Sequence, residues 1–118
     1  MEYIKLSRNN QINLTRGDSE TYEIGIVING EEYTPVTGDS VRFAMRKGDM
    51  DYSRTRYIYP PILIKEIPID TMQLTFAPED TKNLPFGNYV YDVQITFENG
   101  DNKTFIKDAP FVIEREVE

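Results

Sequence analysis

Cysteine, histidine and tryptophan are all missing from the 118 residues of this chain. Without cysteine there are no disulfides, thiol nucleophiles or thiolate metal sites, which fits synthesis in a reducing compartment. Without histidine there is no imidazole base, no histidine-based triad and no ordinary zinc or iron ligand set. No apolar run is long enough to span a bilayer, and the N-terminal MEYIKLSRNN lacks the basic start and apolar stretch of a secretion signal. The expectation is a protein made in the cytoplasm, with no membrane partner. Basic residues are the scarcer charge, 13 against 20 acids for a net −7, which argues against a nucleic-acid partner because phosphate contacts need concentrated Lys and Arg.

What is present suits a sheet. Six Phe and eight Tyr accompany abundant Ile and Val, side chains that pack well on a pleated surface. The length fits one domain, residues 1–118, able to bury about two-thirds of its unfolded surface. Charge is unevenly spread. Arg42, Arg46, Lys47, Arg54 and Arg56 face only Asp49 and Asp51, a local +3, so the remainder holds 8 bases against 18 acids, or −10.

Alternation with period two recurs along the chain and helical periodicity is nearly absent. Thr21 to Ile28 puts Tyr22, Ile24, Ile26 and Ile28 on one face of an expected strand. Asn29-Gly30 and Thr37-Gly38-Asp39 read as turns on either side of a short bridging segment, Glu32 to Pro35. Val41, Phe43 and Met45 then alternate with Arg42, Ala44 and Arg46, and later strands are expected at Ile62 to Ile67 and Met72 to Phe76. Pro78 at a first helical position, Glu79 and Asp80 at the positive end of the dipole, and Pro85 as a stop predict a helix of about two turns near 78–84.

The strongest strand signal is Asn88 to Phe97, with Tyr89, Tyr91, Val93, Ile95 and Phe97 on one face. Asn99-Gly100 is the favoured pair for a type I′ hairpin, which would return Asp101 to Lys107 antiparallel. Asp108-Ala109-Pro110 reads as a break, and Phe111 to Val117 as a charged edge strand open to strand addition by a partner. The expected fold is all-β, an immunoglobulin-like two-sheet antiparallel sandwich of about seven strands with one short helix. The spacing Leu84-x-x-Gly87-x-Tyr89 resembles a tyrosine corner, in which a buried Tyr ties its hydroxyl to nearby backbone.

A wider pattern spans Arg16 to Ile113. Gly17-Asp18 precedes one strand, Gly38-Asp39-Ser40-Val41-Arg42-Phe43 opens another, and Ala77-Pro78-Glu79-Asp80-Thr81, the Leu84 to Val93 stretch and the Asn99-Gly100 hairpin come after in order. Together they resemble the N-terminal domain of phage baseplate upper proteins and related small tail-associated proteins. That resemblance implies an immunoglobulin-like virion building block without catalytic residues or cofactor, docking a host-recognition or fibre module onto the tail. It also implies other phage tail or baseplate proteins as partners, homo-oligomeric assembly, and a final location in the virion. Such domains often precede a longer distal region, whereas this sequence stops at Glu118; it stands either for a separate adaptor or for an excerpt.

Other motifs have simpler readings. Arg16-Gly17-Asp18 is an integrin-type tripeptide, yet a turn needs Gly and Asp there for backbone reasons. Asn13-Leu14-Thr15 and Asn102-Lys103-Thr104 match the glycosylation sequon in a chain without a secretion signal. Asp49 with Asp51, and Glu98 with Asn99 and Asp101, lack the ligand spacing of a calcium loop. Adjacent carboxylates such as Glu31-Glu32 and Glu79-Asp80 do not face each other across a substrate, so no enzyme is expected. The candidate interaction residues are Tyr52, Arg54, Arg56, Tyr57 and Tyr59, because Tyr and Arg dominate binding hot spots; the competing reading is a solvated spacer between strands. The rival functional class is an acidic binding module for a host protein or a carbohydrate.

Overall fold

The computed structural model describes residues 4–5, 10–47 and 61–115, which form ten strands and one helical turn. In chain order these are β1 (Ile4–Lys5), β2 (Ile12–Thr15), β3 (Glu20–Glu23), β4 (Ile26–Ile28), β5 (Glu31–Tyr33), β6 (Ser40–Lys47), β7 (Pro61–Ile67), β8 (Gln73–Phe76), α1 (Pro78–Thr81), β9 (Gly87–Thr96) and β10 (Asn102–Glu114). A curled five-stranded sheet runs β2-β10-β9-β6-β7. Two smaller sheets, β1-β3-β8 and the hairpin β4-β5, complete the fold.

Alternation decides which side of the large sheet becomes core. Val41, Phe43 and Met45 of β6 are buried while Arg42 is exposed, and β9 buries Tyr89, Tyr91, Val93 and Ile95 beside them. From the opposite sheet Phe76 reaches across, its ring 5.4 Å from Phe43 and 5.5 Å from Phe111 at steep interplanar angles. Tyr22 meets Phe76 edge-on at 6.0 Å. Such aromatic pairs add about 0.5–1.5 kcal/mol each beyond the burial of their area. Burial itself contributes about 1.5–3 kcal/mol per large side chain, so this cluster dominates what holds the sheets together.

The expected corner is present: the Tyr89 hydroxyl donates to the Pro85 carbonyl at 2.7 Å, and Tyr89 is buried. The helix is shorter than expected, one turn instead of two. Leu84 N–H bonds to Thr81 O, tightening the chain, and Pro85 disfavours helical dihedrals at Leu84. Its N-terminus is capped from within, because the Asp80 carboxylate accepts the Ala77 N–H at 2.8 Å and the Lys65 ammonium at 2.7 Å.

Other expectations are corrected. The Thr21 to Ile28 strand is two strands, since the Ile24 N–H bonds to Met72 O and the chain then turns away at Gly25. Beyond Gly25 the chain pairs locally: Asn29 and Gly30 have φ of 54° and 82°, so the type I′ turn is here, joining Ile28 to Glu31. At Asn99-Gly100 only the glycine has positive φ, 96°, and its N–H bonds to Phe97 O at 2.8 Å, which is a tight turn and then a bulge instead of a type I′ turn. Asp108-Ala109-Pro110 bends the strand without ending it. Asp108 takes φ 51° and donates its N–H to Asp92 Oδ1 at 2.7 Å, so the register shift leaves no orphan donor there.

Nor is the C-terminal strand an edge. Phe111 to Glu114 of β10 is flanked by β9 on one side and on the other by β2, which runs parallel to it. The open edges of the large sheet, among the described residues, are β2 and β7. A fully antiparallel two-sheet sandwich is therefore not what these strands form: β1 also runs parallel to β3, and the break at Gly25 splits the smaller layer into three strands and two. The fold is mostly β with one short helix.

Candidate interaction surface

Tyr52, Arg54, Arg56, Tyr57 and Tyr59 lie outside the described residues, in the segment joining β6 to β7. The strands that precede and follow it in the chain, β6 and β7, are described. β7 is an edge strand whose outward face carries Ile62 and Ile64, 45% and 55% exposed. Ile64 sits in register with Ala44, and Glu66 with Arg42, so charge and apolar surface alternate on that face. One register step away, the Arg46 guanidinium pairs with Asp92 Oδ2 at 2.7 Å, and Asp92 also accepts the Asp108 N–H. The strand that leads into the segment is therefore fixed to the middle of the sheet.

At the β4-β5 hairpin a second feature appears that sequence reasoning left aside. An open cleft of about 440 Å3 runs beside it, lined among others by Ile24, Gly25, Ile26, Tyr33 and Pro35. Glu23 and Glu32 both line it, and among the described residues no basic one does. Val27 and Glu32 are register partners across the hairpin, so an exposed apolar side chain stands beside an exposed carboxylate on one face. The local signal was legible in part, as Asn29-Gly30 marks the turn. The cleft itself depends on the departure of the chain at Gly25, which alternation does not reveal.

Its wall is held by one carboxylate. Asp39 Oδ2 accepts the Tyr33 hydroxyl at 2.6 Å and the Val36 N–H at 3.0 Å, while Oδ1 accepts the Glu98 N–H at 3.1 Å. The Tyr33 hydrogen bond, then that from Val36, holds the Asp39 carboxyl below the ordinary carboxylate range, against the opposing effect of burial. The same bond raises the Tyr33 phenol. The Tyr33 ring also meets Phe97 edge-on at 5.5 Å. Hairpin β4-β5 is thus tied to the far hairpin, β9-β10, through a polar and an aromatic contact.

A third cluster occupies the turn between α1 and β9. Phe86 is 45% exposed, with the Arg16 guanidinium 4.1 Å from its ring centroid and that of Arg115 at 5.8 Å. Arg16 is held in place by its Nη1 bond to Leu84 O at 3.2 Å and by its N–H bond to Glu114 O at 2.9 Å. Asp18 N–H returns to Thr15 O and Gly17 has φ 84°, so Arg16-Gly17-Asp18 forms a turn whose Gly17 N–H docks on the Thr81 hydroxyl at 2.9 Å. These contacts account for the residue types of the tripeptide by backbone needs. Neither sequence position hints that Arg16 and Arg115 meet, since the parallel pairing of β2 with β10 brings them together.

Among the described residues no three carboxylates gather where they could hold a metal ion. The described surface presents a cleft lined by Glu23 and Glu32, exposed Ile62 and Ile64 on a sheet edge, and an arginine–phenylalanine cluster. Comparison with protein-family models, with characterised proteins and with solved structures gives no match.

Proposed function

We propose that the protein is a non-catalytic structural component of a phage or prophage virion, a tail or baseplate protein or adaptor that acts through protein–protein contacts. The observation that carries this reading is the ordered series from Gly17-Asp18 to the Asn99-Gly100 hairpin, with its tyrosine corner tied at 2.7 Å by the Tyr89 hydroxyl. The corner also supports kinship with immunoglobulin-like domains, although the sheets here are unequal and mixed. In this reading the protein is made in the host cytoplasm and ends in the tail, and it assembles with copies of itself and with other tail proteins. The Tyr52 to Tyr59 segment supplies the contact, next to the exposed Ile62 and Ile64 of the sheet edge.

The reading is tested by co-purification with tail proteins and by association in solution. Replacing Arg54, Arg56 and Tyr57 by Ala is expected to leave the fold intact and weaken association by about tenfold or more, with added salt weakening the parent similarly. A strictly monomeric protein that associates with no tail component, even at high concentration, would contradict it. A second reading, an acidic binding module for a host protein or a carbohydrate, draws support from the cleft lined by Glu23, Glu32 and Tyr33. Binding to a glycan panel with no affinity for tail proteins would favour that alternative.

A further inference from the structure

β2 and β7 bound the five-stranded sheet, and their outward backbone groups differ. The Arg16 N–H bonds to Glu114 O, so by alternation Asn13 and Thr15 turn their carbonyls away from β10. Both carbonyls are taken: Asn13 O accepts the Tyr22 hydroxyl at 3.2 Å and Thr15 O accepts the Asp18 N–H at 3.0 Å. At the β7 edge the alternation runs from the Phe97 N–H, which bonds to Asp101 O. Odd-numbered residues of β9 therefore face β10 and even-numbered ones face β6, which leaves Phe43 and Met45 to bond Lys65 and Leu63 of β7. The N–H and C=O of Ile64 and Glu66 then point outward, and among the described residues none meets them.

The usual guards of such an edge are engaged elsewhere. Lys65 sends its ammonium to Asp80 at 2.7 Å, Glu66 lies in register with Arg42, and Pro61 stands at the first position of the strand. Ile62 and Ile64, between them, are exposed. We propose that β7 pairs antiparallel with β7 of a second copy of the chain, about a twofold axis at Leu63, joining the two large sheets edge to edge. The inference rests on the assembly reading above for self-association and adds the surface through which it occurs.

The side chains select both the occupant and the register. An axis at Leu63 sets Ile62 and Ile64 of one copy opposite Ile64 and Ile62 of the other, so apolar surface on each side is covered by apolar surface. An axis at Ile64 would set Ile62 against Glu66, and an axis at Lys65 would set two ammonium-bearing side chains opposite each other. Main-chain hydrogen bonds at the Ile64 position supply affinity, as in strand addition generally. Because each copy uses the same patch, the contact is isologous and closes at two copies.

Sedimentation velocity on the full chain, with circular dichroism as the folding control, tests the pairing. Ile64→Lys, at an exposed position, is expected to keep the β signal and to dimerise at least about tenfold more weakly than the parent, since each dimer loses two apolar contacts. If Ile64→Lys disturbs folding, Ile64→Thr replaces it, with a smaller loss expected. Register is read by cross-linking in a chain that has no cysteine of its own. Ile62→Cys mixed with Ile64→Cys under mild oxidation is expected to give a disulfide-linked dimer faster than exposed Val36→Cys mixed with Ile64→Cys, because hydrogen-bonded antiparallel partners have Cα atoms about 5.5 Å apart, within disulfide reach. Position 64 variants that dimerise like the parent overturn the pairing, as does cross-linking no faster than in the Val36 control. A parent that stays monomeric yet co-purifies with tail proteins overturns the pairing and leaves the assembly reading standing. A parent that does neither overturns both.

Discussion

Asp39 shows how much one side chain can organise. It lies between Gly38 and Ser40 in what the sequence marks as a turn, yet its carboxylate gathers a phenol from β5, an N–H three residues back and an N–H 59 residues away. The neighbouring glycine is required for two reasons. Its φ is 102°, and a Cβ there would stand 2.8 Å from Glu98 Cγ, in the way of the far hairpin. A carboxyl held below its ordinary range stabilises the fold above the unfolded pKa, and that stabilisation is lost as pH falls through the depressed folded value. Asp39→Asn is therefore expected to lower the melting temperature at neutral pH, since an amide cannot accept from three donors with both its atoms. The gap to the parent should narrow in acid, where the parent loses its own carboxylate. Thermal melts over a pH series check this, and a gap that stays constant into acid would refute the assignment.

Among the elements, β10 separates what local pattern reveals from what it does not. Alternation within β6 and β9 is dense, and both emerge with the expected residues buried. Proline at 110 reads as a stop because a ladder position cannot use it. The strand passes through it because Asp92, one strand over, takes the displaced Asp108 N–H and pairs with Arg46 at the same time. That rescue depends on a neighbour 16 residues away, so no local reading contains it. Parallel pairing of β2 with β10 is still more remote, joining Ile12 to Phe111. The Tyr/Arg segment was legible as residue types, whereas the acidic cleft needed the turn at Gly25 and the register of Val27 with Glu32. Removing the carboxylate at 92 tests the bulge: Asp92→Ala leaves the Asp108 N–H and the Arg46 guanidinium without this acceptor, at an expected cost of about 2 kcal/mol. Urea unfolding measures the loss. Faster amide exchange confined to Asp108 and its neighbours would place it at the bend, while an unchanged midpoint would show that solvent serves both donors equally well.

Across the whole molecule, net charge and buried tyrosine act in the same direction when the solution turns alkaline. Tyr22 donates to Asn13 O at 3.2 Å and Tyr91 donates to Asn10 O, so two phenols tie the N-terminal strand region to the core. Burial is the main cause raising both, with the charge of Glu20 adding at Tyr22, whose pKa is pushed up to about 12 from 10.0; Tyr91 rises too. Tyr89, at the corner, is raised by burial as well. Below the ordinary tyrosine value folded and unfolded chains both keep these protons. Between 10.0 and about 12 the unfolded chain releases them while the folded chain holds them, so stability falls as pH rises through that window. A chain already at −7 gains further self-repulsion over the same range. Tyr22 and Tyr91 are therefore expected to ionise above the ordinary tyrosine value, in one steep step that coincides with loss of the β signal, because neither can ionise without leaving the core. Tyrosinate absorbance and circular dichroism recorded on the same samples check the coincidence, and a single gradual ionisation of all eight tyrosines with the sheet signal intact would show that these hydroxyls are not held as described.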